Sequence, residues 1–194
     1  MIVGSCEITI RSSSLLLVLW LCVSGSIAMA VEEPAGYRME FYDDRVPETL
    51  TGATRVSAME VLELQQNKGA VVIDVIPEQK QPDVLPEGQL WLPVPHRGVA
   101  GALWLPDVGY GSLSEVTESY FRGHLEDICR GDWNCPLIFY CRTDCWMSWN
   151  AAKRALSYGY SQVYWFADGI EDWKYEDYEL ELLKPAEGER QAVR

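Results

Sequence analysis

Positive charge is scarce in this sequence. Sixteen Lys and Arg stand against 29 Asp and Glu over 194 residues, a formal net charge of −13. Phosphate backbones and anionic lipid surfaces are bound by clustered cations, so neither nucleic acid nor a charged membrane surface is an expected partner. A basic or neutral protein fits better. Histidine is scarcer still, with only His96 and His124. None follows the paired cysteines of C-R-T-D-C-W, where Trp146 stands instead, and this excludes a c-type haem. The pair Gly109 and Gly111 lacks a third glycine and a preceding strand, which removes a nucleotide loop. No G-x-S-x-G elbow surrounds Ser148, so it is read as a helix N-cap and not as a nucleophile. Internal repeats and low-complexity tracts are also missing. The longest apolar run, Leu15 to Val23, falls short of the about 20 residues that span a bilayer.

What is present is the profile of one globular domain, 48% hydrophobic and 23% charged. The short apolar run follows Arg11 and leads into Ala28-Met29-Ala30, an A-x-A cleavage pattern, so residues 1–30 are expected to be a cleavable secretory signal. The mature chain would then begin near Val31, in the periplasm, with no membrane association beyond the signal. Cys6 and Cys22 leave with it. Cys129, Cys135, Cys141 and Cys145 remain, an even number in an oxidising space. Of three connectivities, Cys129 with Cys135 and Cys141 with Cys145 closes the shortest loops and is the pairing expected.

Residues 31–55 read as an extended lead-in, 56–180 as the domain and 181–194 as a tail. Ser57-Ala58-Met59-Glu60 is a capping box opening a helix that Gly69 breaks, with Met59 and Leu62 on its apolar side. Ala70 to Ile76 is a continuous β-branched run suited to a strand buried on both faces. Residues 77–112 read as a long loop with a short strand near Leu103 to Leu105. A helix over Ser114 to Cys129, the strand Pro136 to Tyr140, a helix over Ser148 to Tyr158 and the strand Gln162 to Phe166 follow. The acidic stretch Glu171 to Glu181 is expected to be a solvated face or tail. Strand and helix alternate, which predicts an α/β domain with a mostly parallel central sheet flanked by helices.

Ligands of such sheets bind beyond the carboxyl ends of the strands, where this order places Cys141. The loop Cys141, Arg142, Thr143, Asp144, Cys145, Trp146, Met147, Ser148 turns from a strand into a helix N-terminus. Its backbone N–H groups and the positive helix end favour a thiolate at Cys141. Cys145, four positions on, is placed to act as the resolving thiol of a disulfide-exchange pair. Two other chemistries compete on the residues alone. Cu(I) or Zn could be held by these sulfurs with His96, His124 or the other cysteines. A quinone could dock on an aromatic patch formed by Trp146 and Trp149; most of the tryptophans are read as core.

VVIDV, GALWLPDVG, LIFYC, the helix with AAKRAL and YGYSQVYWFADGIEDW together resemble a single rhodanese domain. The tract CRTDCWMSWNAAKRAL is similar to the periplasmic family named for its CXXCW motif, in fact C-x3-C-W, which is associated with pyrroloquinoline quinone dependent catabolism. The rhodanese resemblance implies that Cys141 occupies the place of the persulfide-forming cysteine. It also implies that the place of the anion-holding arginine falls on Trp146 or Met147, so that Arg142 could substitute only by folding inward. Standard thiosulfate sulfurtransfer is then not expected, and thiol-disulfide or sulfur-handling chemistry is. The narrower resemblance implies a link to quinone-dependent alcohol oxidation and a dehydrogenase as partner, with a non-catalytic accessory module as the alternative.

Overall fold

A computed structural model describes residues 30–190; the secretory signal expected over residues 1–30, with Cys6 and Cys22, lies outside the described residues but for Ala30. The elements run β1 (Thr54–Arg55), α1 (Ala58–Lys68), β2 (Val71–Asp74), β3 (Arg97–Val99), β4 (Leu103–Trp104), α2 (Glu115–Cys129), β5 (Leu137–Tyr140), α3 (Trp146–Tyr158), β6 (Val163–Phe166), α4 (Gly169–Tyr175) and β7 (Leu180–Leu182). Five strands form one sheet in the order β1-β6-β5-β2-β4, and every pairing within it is parallel. This is the α/β architecture that the alternation of strand and helix predicts.

Side chains of successive strand residues point to opposite faces, and the core splits accordingly. Leu137 and Phe139 of β5, with Val163 and Trp165 of β6, meet residues of α2 and α3 such as Phe121, Leu125, Trp149 and Ala152. Ile138, Tyr140 and Phe166 turn the other way, toward Val61 and Leu64 of α1 and Trp173 of α4. Both faces are therefore apolar, which explains the unbroken β-branched and aromatic runs. Each large apolar side chain so buried contributes about 1.5–3 kcal/mol.

The capping box of α1 forms, with Ser57 accepting from the Glu60 amide and Glu60 accepting from the Ser57 amide. Its buried side is corrected: Ala58, Val61 and Leu64 face the sheet, and Met59 is exposed. Leu62 is only partly buried, packing on the margin of that core. Two apolar stripes compete on this helix, and the one beginning with the smallest residue allows the helix to sit closest to the sheet. Within the stretch read as a long loop, β3 is an addition. It pairs antiparallel with β7, so part of the acidic stretch read as solvated tail is a strand.

At the carboxyl end of the sheet a buried polar cluster ties these additions down. The Tyr140 hydroxyl donates to Asp74 Oδ2 at 2.6 Å and accepts from the Val99 amide at 3.0 Å. Asp74 also pairs with His96 Nε2 at 2.8 Å and accepts from the Ile76 amide. Burial pushes the Tyr140 phenol well above its ordinary value, and the Asp74 carboxylate adds to this. Replacing Tyr140 by Phe leaves the Val99 amide and an Asp74 oxygen short of a partner, a cost of about 1–3 kcal/mol. The expected result is a melting temperature lowered by roughly 5 °C, read by circular dichroism.

Candidate active site

The carboxyl end of β5 delivers Cys141, and the next four residues turn sharply into α3. Asp144 takes the left-handed conformation (φ 52°), which Asp tolerates better than most residues. The turn brings the Cα atoms of Cys141 and Cys145 to 6.1 Å and the two are joined as a disulfide. That separation is ordinary for the bond. Cys129 and Cys135 form the second disulfide, with Cα atoms 5.5 Å apart. The neighbour pairing expected from loop length is the one present. Cys141 and Cys145 are 0% and 1% exposed, so the sulfurs sit beneath the surface despite their polar neighbours.

The start of α3 departs from expectation. Cys145, not Ser148, is the N-cap, and its side chain makes no capping bond. The first helical amide, Trp146, instead donates to the Tyr42 carbonyl at 2.8 Å, and Asp43 forms an isolated antiparallel bridge with Cys145. The lead-in segment thus supplies the cap from outside the helix. Freed from capping, the Ser148 hydroxyl donates back to the Cys145 carbonyl and accepts from Trp165 Nε1 at 3.0 Å.

Three further donors of the loop are engaged. The Thr143 amide donates to Glu171 Oε2 at 2.8 Å, and its hydroxyl to the Asp168 carbonyl. Arg142 turns outward to Asp43, 2.8 Å away, and does not fold over the sulfurs. Met147 is buried against Gly109, where there is no room for a Cβ. Two amides of the expected anion cradle, those of Thr143 and Trp146, are therefore taken by a carboxylate and a carbonyl of the chain itself. Glu171 and the Tyr42–Asp43 segment are the site residues that the sequence did not reveal, because their contacts bridge 28 residues in one case and about 100 in the other.

The lead-in is held firmly. Asn150 accepts from the Arg38 amide and donates to the Arg38 carbonyl, both at 2.9 Å, and the Arg38 guanidinium lies 5.0 Å above the Trp146 ring. Trp146 and Trp149 pack edge-to-face at 5.3 Å and are both buried. They are therefore core, not the exposed patch considered for a quinone. The exposed apolar groups beside the loop are Met39 and Phe41, the latter 72% exposed. The Trp146 indole N–H is buried without a hydrogen-bond partner among the described residues.

For a soft metal the sulfurs lack company. Among the described residues no group of three or more His, Cys, Asp or Glu is placed to hold an ion. His96 is engaged by Asp74 and His124 by the Glu187 carbonyl. Beside the loop, at the ends of β2, β4 and β5, opens a cavity of about 400 Å³ whose walls include Trp104, His96, Arg142 and three prolines of the 77–95 segment. This is where ligands of open α/β sheets bind.

The profile of the rhodanese-like domain family matches residues 57–176, more than half of the chain. Among solved structures, the chain is similar to a thiosulfate sulfurtransferase from Pseudomonas aeruginosa, with 18% identity, a TM-score of 0.46, and coverage of 73% of this chain and 22% of that one. It thus spans about a fifth of that protein's length. A polysulfide-sulfur transferase from Wolinella succinogenes is similar at 19% identity and a TM-score of 0.42, covering 66% of this chain and 78% of that one. A rhodanese-like domain from Anabaena is similar at 15% identity and a TM-score of 0.41, covering 75% and 92%. No curated protein matches the chain.

Proposed function

The chain belongs to the rhodanese-like domain family, and from that premise we propose that it is a thiol-disulfide exchange protein. In this reading Cys141 is the reacting sulfur and Cys145 the resolving one, and sulfane sulfur is not carried. One observation carries it: the loop holds a Cys141–Cys145 disulfide, while Glu171 and the Tyr42 carbonyl already occupy two of its amides. An anionic sulfur donor needs those amides and a cation pointing inward, and Arg142 points outward to Asp43.

The chemistry balances without a cofactor. A partner thiolate attacks Cys141 Sγ, the Cys141–Cys145 bond breaks, and Cys145 leaves as a thiolate that takes up a proton. A second thiol of the partner then attacks the mixed disulfide and releases Cys141. The partner is oxidised to a disulfide, and two electrons and two protons end on the cysteine pair. The same steps in reverse oxidise the pair. The secretory segment read in residues 1–30 supports a periplasmic setting, and the likeness of C-R-T-D-C-W to the C-x3-C-W tract supports a place beside quinone-dependent alcohol oxidation with a dehydrogenase as partner.

A second reading rests on burial. With both sulfurs enclosed the disulfide acts as a staple, and the protein is an accessory module that docks a partner through the exposed Met39 and Phe41. The reduction potential of the Cys141–Cys145 pair separates the two. Equilibration against glutathione buffers, followed by thiol counting, is expected to give a value above about −300 mV; a lower value makes the pair structural.

A further inference from the structure

Both sulfurs of the Cys141–Cys145 disulfide are enclosed, 0% and 1% exposed, so a partner thiolate reaches neither while the loop stays covered. Two segments are hydrogen-bonded to it. One is α4, where Ile170 donates to the Cys141 carbonyl; this helix buries Gly169, Ile170 and Trp173. The other is the lead-in. Its Tyr42 carbonyl accepts from the Trp146 amide, Asp43 bridges Cys145, and the Asp43 carboxylate pairs with Arg142.

The two covers differ in how they are anchored. The lead-in is pinned at Arg38, whose backbone bonds twice to Asn150, and again at the buried Pro47. Between these points no residue of 39–46 is buried. The strap is also strained. Phe41 is left-handed, with φ 52°, which for a bulky aromatic is a genuine outlier, and its ring lies in solvent, not in the core. Arg38 enforces this turn: its Nε donates to the Glu40 carbonyl at 2.7 Å, and its guanidinium reaches the Phe41 carbonyl and Asp44. Such strain persists only where the surroundings hold it, and it concentrates at switch regions.

We infer that residues 39–46 are a gate over the disulfide. Opening is a local unfolding of this strap between its two pins. It withdraws the Tyr42 carbonyl from Trp146 and Asp43 from Cys145 and Arg142, and so admits a partner thiolate. Arg38 holds the gate shut, and the strained backbone of Phe41 favours release. Its purpose rests on the exchange reading of the pair, which the reduction potential tests; opening rates test the gate itself.

The test uses the purified protein with both disulfides formed. Hydrogen exchange followed by NMR is expected to give the Trp146 amide a protection factor about tenfold or more below that of the Ile170 amide, since global unfolding exposes both equally. Phe41→Asn, which accepts the left-handed backbone, relaxes the closed gate. It is expected to slow both Trp146 exchange and reduction of the Cys141–Cys145 bond by dithiothreitol, each roughly fivefold, the latter read by alkylation and peptide mapping. Arg38→Met frees the Glu40 and Phe41 carbonyls and is expected to speed both, with Ile170 exchange unaltered. Equal protection of Trp146 and Ile170 overturns the inference. So does an undiminished reduction rate in Phe41→Asn, which decides alone if Arg38→Met does not fold, or an unchanged rate in a folded Arg38→Met.

Discussion

Replacing Cys141 by Ser is expected to reduce thiol-disulfide exchange to the uncatalysed background. The substituted oxygen neither forms a disulfide nor leaves as a thiolate at neutral pH, and Cys145 alone has no partner to resolve against. The accompanying loss of stability is small, about 2 kcal/mol for so short a loop, so circular dichroism is expected to show a folded protein. Cys145→Ser has a different signature. The first attack on a partner disulfide proceeds, but the mixed disulfide on Cys141 is not resolved and accumulates, where mass spectrometry detects it and identifies the partner. If Cys141→Ser retains exchange activity, or if Cys145→Ser traps nothing, the disulfide is a staple and the docking reading stands.

The second large effect is expected at a residue that touches neither sulfur. Gly169 opens α4 with φ 60°, and a Cβ there would run into the carbonyl of Cys141. The next amide, Ile170, donates to that same carbonyl at 3.0 Å. Close approach of α4 to the end of β5 therefore holds the reactive loop from behind. Gly169→Ala imposes a left-handed alanine, about 1–2 kcal/mol, and displaces the Cys141 carbonyl, losing a hydrogen bond of about 1 kcal/mol. A total near 3 kcal/mol predicts a melting temperature lower by roughly 6–12 °C. Faster reduction of the Cys141–Cys145 bond by dithiothreitol than in the unsubstituted protein is the accompanying readout. An unchanged rate and melting temperature would show that α4 does not position the loop.

These two residues differ in how far the sequence announces them. Cys141 is legible because a β-branched and aromatic strand runs directly into it and a helical pattern follows. Both periodicities are local, and the element order then places the residue at the carboxyl edge of a parallel sheet. Asp168-Gly169 is also visible as a motif, but its contact with the Cys141 carbonyl is not. The same limit explains the misread helix start. Ser148 looks like a cap because serine satisfies free amides locally, whereas the cap of α3 comes from Tyr42, about 100 residues earlier. Arg142 looks available to the sulfurs until Asp43 arrives from the same distant segment.

Local chemistry in the sequence determined the parallel α/β sheet, the capping box at Ser57 and the position of Cys141, while leaving three cysteine connectivities open. Each follows from side-chain periodicity or from the reach of a few residues of chain. Tertiary structure alone decided which cysteines pair, that the sulfurs are buried, that Glu171 and the Tyr42 carbonyl take two amides of the loop, and that Arg142 faces outward. Apart from the pairing, those features depend on hydrogen bonds and charges between segments tens of residues apart. No local pattern encodes them, because the partner is selected only when the sheet has brought the segments together.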